Sequence, residues 1–154
     1  LIKRDYYDPH HAAFTKAVDA ALAEKGEVLI LDCHSYRDKP FQRDLIKKQP
    51  RPDFNIGTDV YHTSDSLRQF SLDFFTSRGY SILDNDPYAG AITPLKHYGK
   101  DIRVKSIMLE INRKLYMEQE DVEVPVRSDG FQSIKQVVKE FISGLQLQRI
   151  ACHS

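Results

Sequence analysis

Apolar positions along this chain alternate between two spacings. Behind Asp8-Pro9, which reads as an N-cap and a first helical residue, Phe14, Ala17, Val18, Ala21 and Leu22 recur on one helical face, and Gly26 stops the helix. From Glu27 to Cys33 the pattern becomes a continuous run, Val28-Leu29-Ile30-Leu31, as expected of a strand buried on both faces in the middle of a sheet. Asp53 to Gly57 is a short strand in which Phe54 and Ile56 alternate with Asn55. Thr63 or Ser64 caps a second helix, whose apolar face is Leu67, Phe70, Phe74 and Phe75 and which ends near Gly79. Tyr80 to Leu83 and Val104 to Ile111 read as two more strands. Phe131, Ile134, Val138, Phe141, Ile142 and Leu145 form the stripe of a closing helix.

Helices alternating with buried strands predict an α/β protein, a three-layer α/β/α arrangement around a mostly parallel or mixed sheet. The whole chain, 1–154, reads as one domain. Four strands make a thin sheet, so an N-terminal portion of the parent chain is expected to be missing from it. Two segments fall outside the pattern. Residues 36–52 carry Arg37, Lys39, Arg43, Lys47, Lys48 and Arg51 with prolines at 40, 50 and 52, too long and charged for a plain connector and suited to an active-site loop. Residues 118–130 are polar.

Charge narrows the partners. Lys plus Arg and Asp plus Glu both number 22, so the formal net charge is zero and nothing points to nucleic acid or an anionic membrane. No apolar run reaches the roughly 20 residues that span a bilayer. Cys33 and Cys152 make no disulfide framework and no Cys-x-x-Cys zinc motif, which leaves a reduced cytoplasm as the default setting.

The chemistry gathers where strands end. The first run gives way to Asp32-Cys33-His34-Ser35, and the last strand to Glu110-Ile111-Asn112-Arg113. In α/β proteins ligands bind at the carboxyl ends of strands, where a His can serve as metal ligand, base or substrate contact. Two further segments carry unusual polar groups, Arg51-Pro52-Asp53-Phe54-Asn55-Ile56-Gly57 and Asn85-Asp86-Pro87-Tyr88-Ala89-Gly90. Each has a plain structural reading: a His34 bonded to its surroundings, a Glu110–Arg113 ion pair, an Arg51–Asp53 brace, a tight turn at 85–90, an Arg113 that braces a loop.

Taken in order, these four segments, continued by Lys114-Leu115-Tyr116-Met117 and preceded by Tyr7-Asp8-Pro9-His10-His11, resemble the N-formylglutamate amidohydrolase (N-formylglutamate deformylase) family over about residues 1–117. That family is similar to zinc carboxypeptidases in fold and site. The resemblance implies that His34, in its His34-Ser35-Tyr36 run, is a ligand of Zn²⁺ and that Glu110 is the general base. It also implies hydrolysis of the amide of N-formyl-L-glutamate, or a related N-acyl amino acid, in histidine catabolism. A substrate with carboxylates calls for cations, and Arg113, Arg51 and Arg37 are suited to bidentate binding, with Asn85 and Tyr88 as neutral hydrogen-bonding groups. A small molecule is then the expected partner. A catalytic zinc takes three protein ligands. His10, His11, His62 and His97 are not expected to supply the other two, which are placed in a preceding portion of the parent chain. A carboxypeptidase-like peptidase or amidase and an inactive binding domain of the same fold are the competing readings.

Overall fold

The computed structural model describes residues 1–118 and 126–151, with no side-chain description from 148 onward. Among the described residues, three α-helices and a four-stranded mixed sheet make an α/β fold. A π-helical turn, Lys3–Tyr7, runs directly into α1 (Asp8–Lys25). Asp8 therefore does not act as an N-cap. Its φ and ψ are −62° and −44°, already helical, and its carboxylate takes Lys3 Nζ at 2.6 Å. The other end follows the sequence. Gly26 adopts φ 75° and returns its N–H to the Leu22 carbonyl at 2.9 Å, a conformation that favours glycine. Of the expected apolar stripe on α1, Val18 is buried, Phe14, Ala21 and Leu22 are half-buried and Ala17 is exposed.

The strands are β1 (Val28–Tyr36), β2 (Phe54–Gly57), β3 (Ile82–Asp84) and β4 (Val104–Asn112), in the spatial order β1-β4-β2-β3. β4 is parallel to β1 and antiparallel to β2, and β2 is parallel to β3. The Val28-Leu29-Ile30-Leu31 run lies in an edge strand of this sheet, and its residues are half-buried rather than covered on both faces. β4 takes the central position, with seven of its nine residues, Val104, Ser106 to Glu110 and Asn112, buried. β1 also runs three residues past its expected end at Cys33. Pairing with β4 continues through Tyr36↔Asn112, so the polar tail of the segment is drawn into the ladder.

One sheet face packs on α2 (Asp65–Thr76) and α3 (Gly130–Ala151). Leu29, Leu31, Phe54, Ile56, Ile107 and Leu109 meet Phe74, Phe75, Ile134, Phe141 and Leu145 there. The Phe54 and Phe75 rings stack at 4.1 Å, and Phe141 lies 4.9 Å from Phe75, so aromatic contact adds to the area removed from water. Ile142, expected in the α3 stripe, faces outward and is exposed. Ser64 caps α2 by accepting the Leu67 N–H at 3.3 Å. Arg78 crosses from the end of α2 to Glu140 on α3 at 3.4 Å. On α1, Asp19 binds Lys96 and His97 at 2.7 and 2.8 Å and so fastens the loop that leads into β4.

The opposite face is more polar and carries the site. At one point the backbones come very close: a Cβ added to Gly57 would lie 2.1 Å from the Gly90 carbonyl oxygen and 2.4 Å from Met108 Cε. Only glycine lets the 85–90 loop seat against β2. Gly57→Ala should therefore cost about 1–3 kcal/mol, as overpacking does, with faster amide exchange across 85–90. Urea denaturation checks the first effect and hydrogen exchange the second; a variant of wild-type stability would show that this contact is not tight.

Candidate active site

Alternation along the strands decides which side chains share a face. Val28, Ile30, Asp32, His34 and Tyr36 of β1 lie on the face away from α2 and α3, and Val104, Ser106, Met108, Glu110 and Asn112 of β4 lie beside them. His34 pairs in register with Glu110, and Glu110 with Asn55 of β2. The three form one row across the sheet, with neighbouring strands about 4.8 Å apart. The two strand-end groups singled out in the sequence are thus brought together. Asn55, not singled out as a site residue, stands at the other end of the row.

His34 is half-exposed, and its Nε2 bonds to Asp32 Oδ1 at 2.9 Å. Asp32 lies two residues earlier on the same face. A carboxylate on Nε2 keeps the proton there and leaves Nδ1 as the lone-pair nitrogen, the arrangement that prepares an imidazole to accept a proton or a metal. Glu110 is 7% exposed, and its Oε2 is buried without a hydrogen-bond partner among the described residues. Burial pushes its carboxyl above the ordinary range. The Asp32 carboxylate adds to the rise, while His34, Arg113 and Arg51 work against it. The expected alternative, a Glu110–Arg113 ion pair, is not the arrangement found. Arg113 opens a 3-10 turn after β4, and its Nε donates to Ser35 Oγ at 3.2 Å. Ser35 alternates to the opposite face from His34, so Arg113 braces β1 from behind the row.

Arg51 pairs with Asp44 rather than with Asp53. It is 3% exposed. One terminal nitrogen, Nη1, donates to the Arg37 carbonyl at 3.0 Å and to the Tyr88 hydroxyl at 3.3 Å. The other, Nη2, donates to Asp44 Oδ2 at 2.8 Å and to the Ile46 carbonyl at 3.1 Å. Its guanidinium carbon lies 5.7 Å from the Tyr36 ring centroid and 5.6 Å from that of Tyr88, a cation held between two aromatic rings. The Arg37 guanidinium lies 4.5 Å from the Phe41 ring. Asp53 meets Ser81 and Lys114 instead.

The 85–90 segment is a built wall. Asn85 adopts φ 55°, and its Oδ1 accepts the N–H groups of Thr58 and Gly90 at 2.9 and 3.1 Å. Its side chain braces the loop, while Tyr88 turns its ring and hydroxyl toward Arg51. Asn55, fully buried, donates from Nδ2 to the Tyr88 carbonyl at 2.8 Å and accepts the Asp86 N–H at 2.9 Å. The sequence signal for Asn55 was present: a lone amide between Phe54 and Ile56, at the position that alternates to the face opposite theirs. Tyr36 and Asn112 close the far end by donating to the Pro52 carbonyl at 2.6 and 3.0 Å. The loop N-terminal to β4 is braced by His62. Its Nδ1 donates to the Val104 carbonyl at 2.6 Å, and its Nε2 accepts the Gly99 N–H at 2.8 Å.

The residue pattern over 2–117 matches the family model described as N-formylglutamate amidohydrolase. The chain belongs to that family. Among solved structures, it is similar to an N-formylglutamate amidohydrolase from Ralstonia eutropha JMP134, with 32% identity and a TM-score of 0.72. That match covers 88% of this chain and 49% of the other, so the chain spans about half the length of this relative. No curated protein matches it. Among the described residues no three His, Cys, Asp or Glu side chains gather where they could hold a metal ion, and no helix is long and apolar enough to cross a membrane. His34 fits one zinc donor through Nδ1, but the described residues do not complete a zinc site. His62 has both ring nitrogens engaged, and His97 Nε2 is held by Asp19.

Glu110 supplies a stability test. Its folded pKa lies above the ordinary value, so between the two the folded state binds more protons than the unfolded one, and stability falls as pH rises through that window. Glu110→Gln keeps the shape and removes the charge. At neutral pH the variant should melt higher than the wild type, and the gap should close below the ordinary carboxylate range. Thermal melts across pH measure this; a lower melting temperature for the variant at neutral pH would mean that the carboxylate stabilises the fold.

Proposed function

We propose that this chain carries the general-base side of an amidohydrolase site that cleaves the formyl amide of N-formyl-L-glutamate, or the amide of a related N-acyl amino acid. The observation that supports this best is Glu110: a carboxyl in the middle of a polar row, nearly out of water, shifted upward, with one oxygen unpartnered among the described residues. A base tuned upward toward working pH takes a proton well from an attacking water and returns it to a leaving amine. Glu110 accepts the water proton as the oxygen attacks the acyl carbon, then delivers it to the nitrogen as the C–N bond breaks. His34, fixed through Asp32, faces the same reacting region.

In this reading Tyr88, Arg51 and Arg37 line the side on which the substrate carboxylates bind. Asn85 acts through the loop it braces, and Arg113 acts through β1. Zinc supplies polarisation of the carbonyl and activation of water in enzymes that use it. His34 is the donor that this chain offers, and a complete centre requires donors beyond those described.

Two measurements test the reading. Turnover of N-formyl-L-glutamate should exceed that of a blocked dipeptide, and Glu110→Gln should lower kcat by about 10²–10⁴-fold, the range for loss of a general base. Preference for the dipeptide would favour a peptidase. Titration of the 154-residue chain with zinc is expected to show no sub-micromolar site. A sub-micromolar site that disappears in His34→Ala would mean that these residues complete the centre by themselves.

A further inference from the structure

The loop between β1 and β2 is fastened to the body by a carboxylate. From residue 41 to residue 50 every side chain is exposed except Asp44. Leu45 stands fully in solvent, and Phe41 and Ile46 are exposed as well. Asp44 Oδ2 lies 2.8 Å from Arg51 Nη2 and also accepts the Phe41 N–H at 3.1 Å. The Ile46 carbonyl takes the second Nη2 proton at 3.1 Å. Both acceptors on Nη2 therefore belong to this strap. A looser tie, Lys48 to Asp86 at 3.7 Å, joins it to the 85–90 wall.

The guanidinium is incompletely used. Its Nε–H is buried with no hydrogen-bond partner among the described residues. Asp44 engages Arg51 through one oxygen on one nitrogen. Guanidinium groups bind carboxylates best side-on, through two parallel N–H bonds, and such pairs are stronger than single ones. A carboxylate bridging Nε and Nη2 would satisfy the orphaned N–H and retain the charge pairing, and to do so it must take the place of Asp44. Nη1 is not part of this exchange. It is held by the Arg37 carbonyl and Tyr88, so the cation stays between its two rings while Nη2 changes partner. Arg51 is also close enough to the reacting row to pull the Glu110 carboxyl downward, which places any such exchange beside the base.

We infer that Asp44 is an internal carboxylate that holds Arg51 in the absence of substrate, and that a substrate carboxylate displaces it, releasing the 38–50 strap as it binds. The inference rests on the proposed carboxylate-bearing substrate. It adds a competitor built into the chain, which sets the affinity for that substrate and couples binding to movement of the strap. An occupied anchor lowers apparent affinity in proportion to the fraction of molecules in which it is free.

The strap holds Arg43, Lys47 and Lys48, so trypsin reports its release. The probe is glutarate, a five-carbon dicarboxylate with no amide to cleave, and the readouts are calorimetric affinity and the rate of cutting within 38–50. Cutting at Lys96 and Lys100 and the melting temperature control for general loosening. Glutarate should accelerate cutting of the wild-type strap without changing the controls. In Asp44→Asn the strap should be cut quickly without ligand, glutarate should add little, and affinity should rise by about tenfold or more as the internal competitor is removed. In Arg51→Lys the ligand-dependent acceleration should be lost. If glutarate protects or does not affect the wild-type strap, or if Asp44→Asn binds it no better, Asp44 is a brace and the exchange is wrong. Absence of binding to both proteins also overturns the exchange, while the role of Glu110 is decided separately by the turnover of Glu110→Gln.

Discussion

The register of β4 is the constraint on which the site depends. Its odd-numbered residues Ile107 and Leu109 are fully buried under α2 and α3, and that burial fixes which way Glu110 points. A slip of one residue would exchange the faces, burying Glu110 among phenylalanines and exposing Leu109. β4 is also the strand that joins two polarities, parallel to β1 and antiparallel to β2. Because both ladders share it, His34 and Asn55, far apart in sequence, come to flank the same carboxylate. The aromatic core on one face therefore positions the chemistry on the other without touching it.

The walls around that row are made differently. The 37–52 loop and the 85–90 loop carry no regular helix or strand, and their shape comes from side chains bonding to backbone. Asn55 holds both ends of the Asp86–Tyr88 stretch, Asn85 ties Thr58 to Gly90, Asn112 and Tyr36 hold Pro52, and Arg51 holds Arg37 and Ile46. Buried polar groups in folded proteins are nearly always paired. Against that background, Glu110 Oε2 and Arg51 Nε are informative together. One is an acceptor and the other a donor, both beside the same row. A ligand with a proton to give and a carboxylate to place would satisfy both, which a water molecule attacking an N-acyl amino acid provides.

Much of this was legible in the sequence, for local reasons. Gly26, the Ser64 cap and the Phe70–Phe75 stripe act over a few residues, and the element order followed from them. The meeting of His34 with Glu110 was legible through strand ends and through family resemblance. Sheet order was not, because pairing is non-local: the Val28–Leu31 run looks like the centre of a sheet and lies at an edge of the one described here. The extension of β1 through Tyr36 was hidden because Cys33, His34 and Ser35 read as the end of a strand, although the ladder to β4 carries them. Arg51 was legible as a candidate and Asn55 as a strand residue, but the burial of both was not, because residues of these types are mostly exposed. The loops that cover them are distant in sequence, and Asp44, the partner of Arg51, sits in a stretch with no pattern at all.

The placement of Glu110 also favours a functional over a structural origin for the row. A carboxylate kept for packing would have its oxygens paired, since leaving a buried acceptor unmade costs about 1–3 kcal/mol, and more when charged. Arg113 is near enough to lower its pKa, yet it bonds to Ser35 instead. His34 is in register with it, yet its Nε2 turns to Asp32. Two available partners are thus held elsewhere by named hydrogen bonds, and Oε2 is left without a partner among the described residues. Buried polar groups left without a partner, and groups whose pKa burial shifts, gather at sites of chemistry. Here the fully buried Phe54, Phe75 and Phe141, with Ile107 and Leu109, hold β4 and so Glu110 in place from the far side of the sheet.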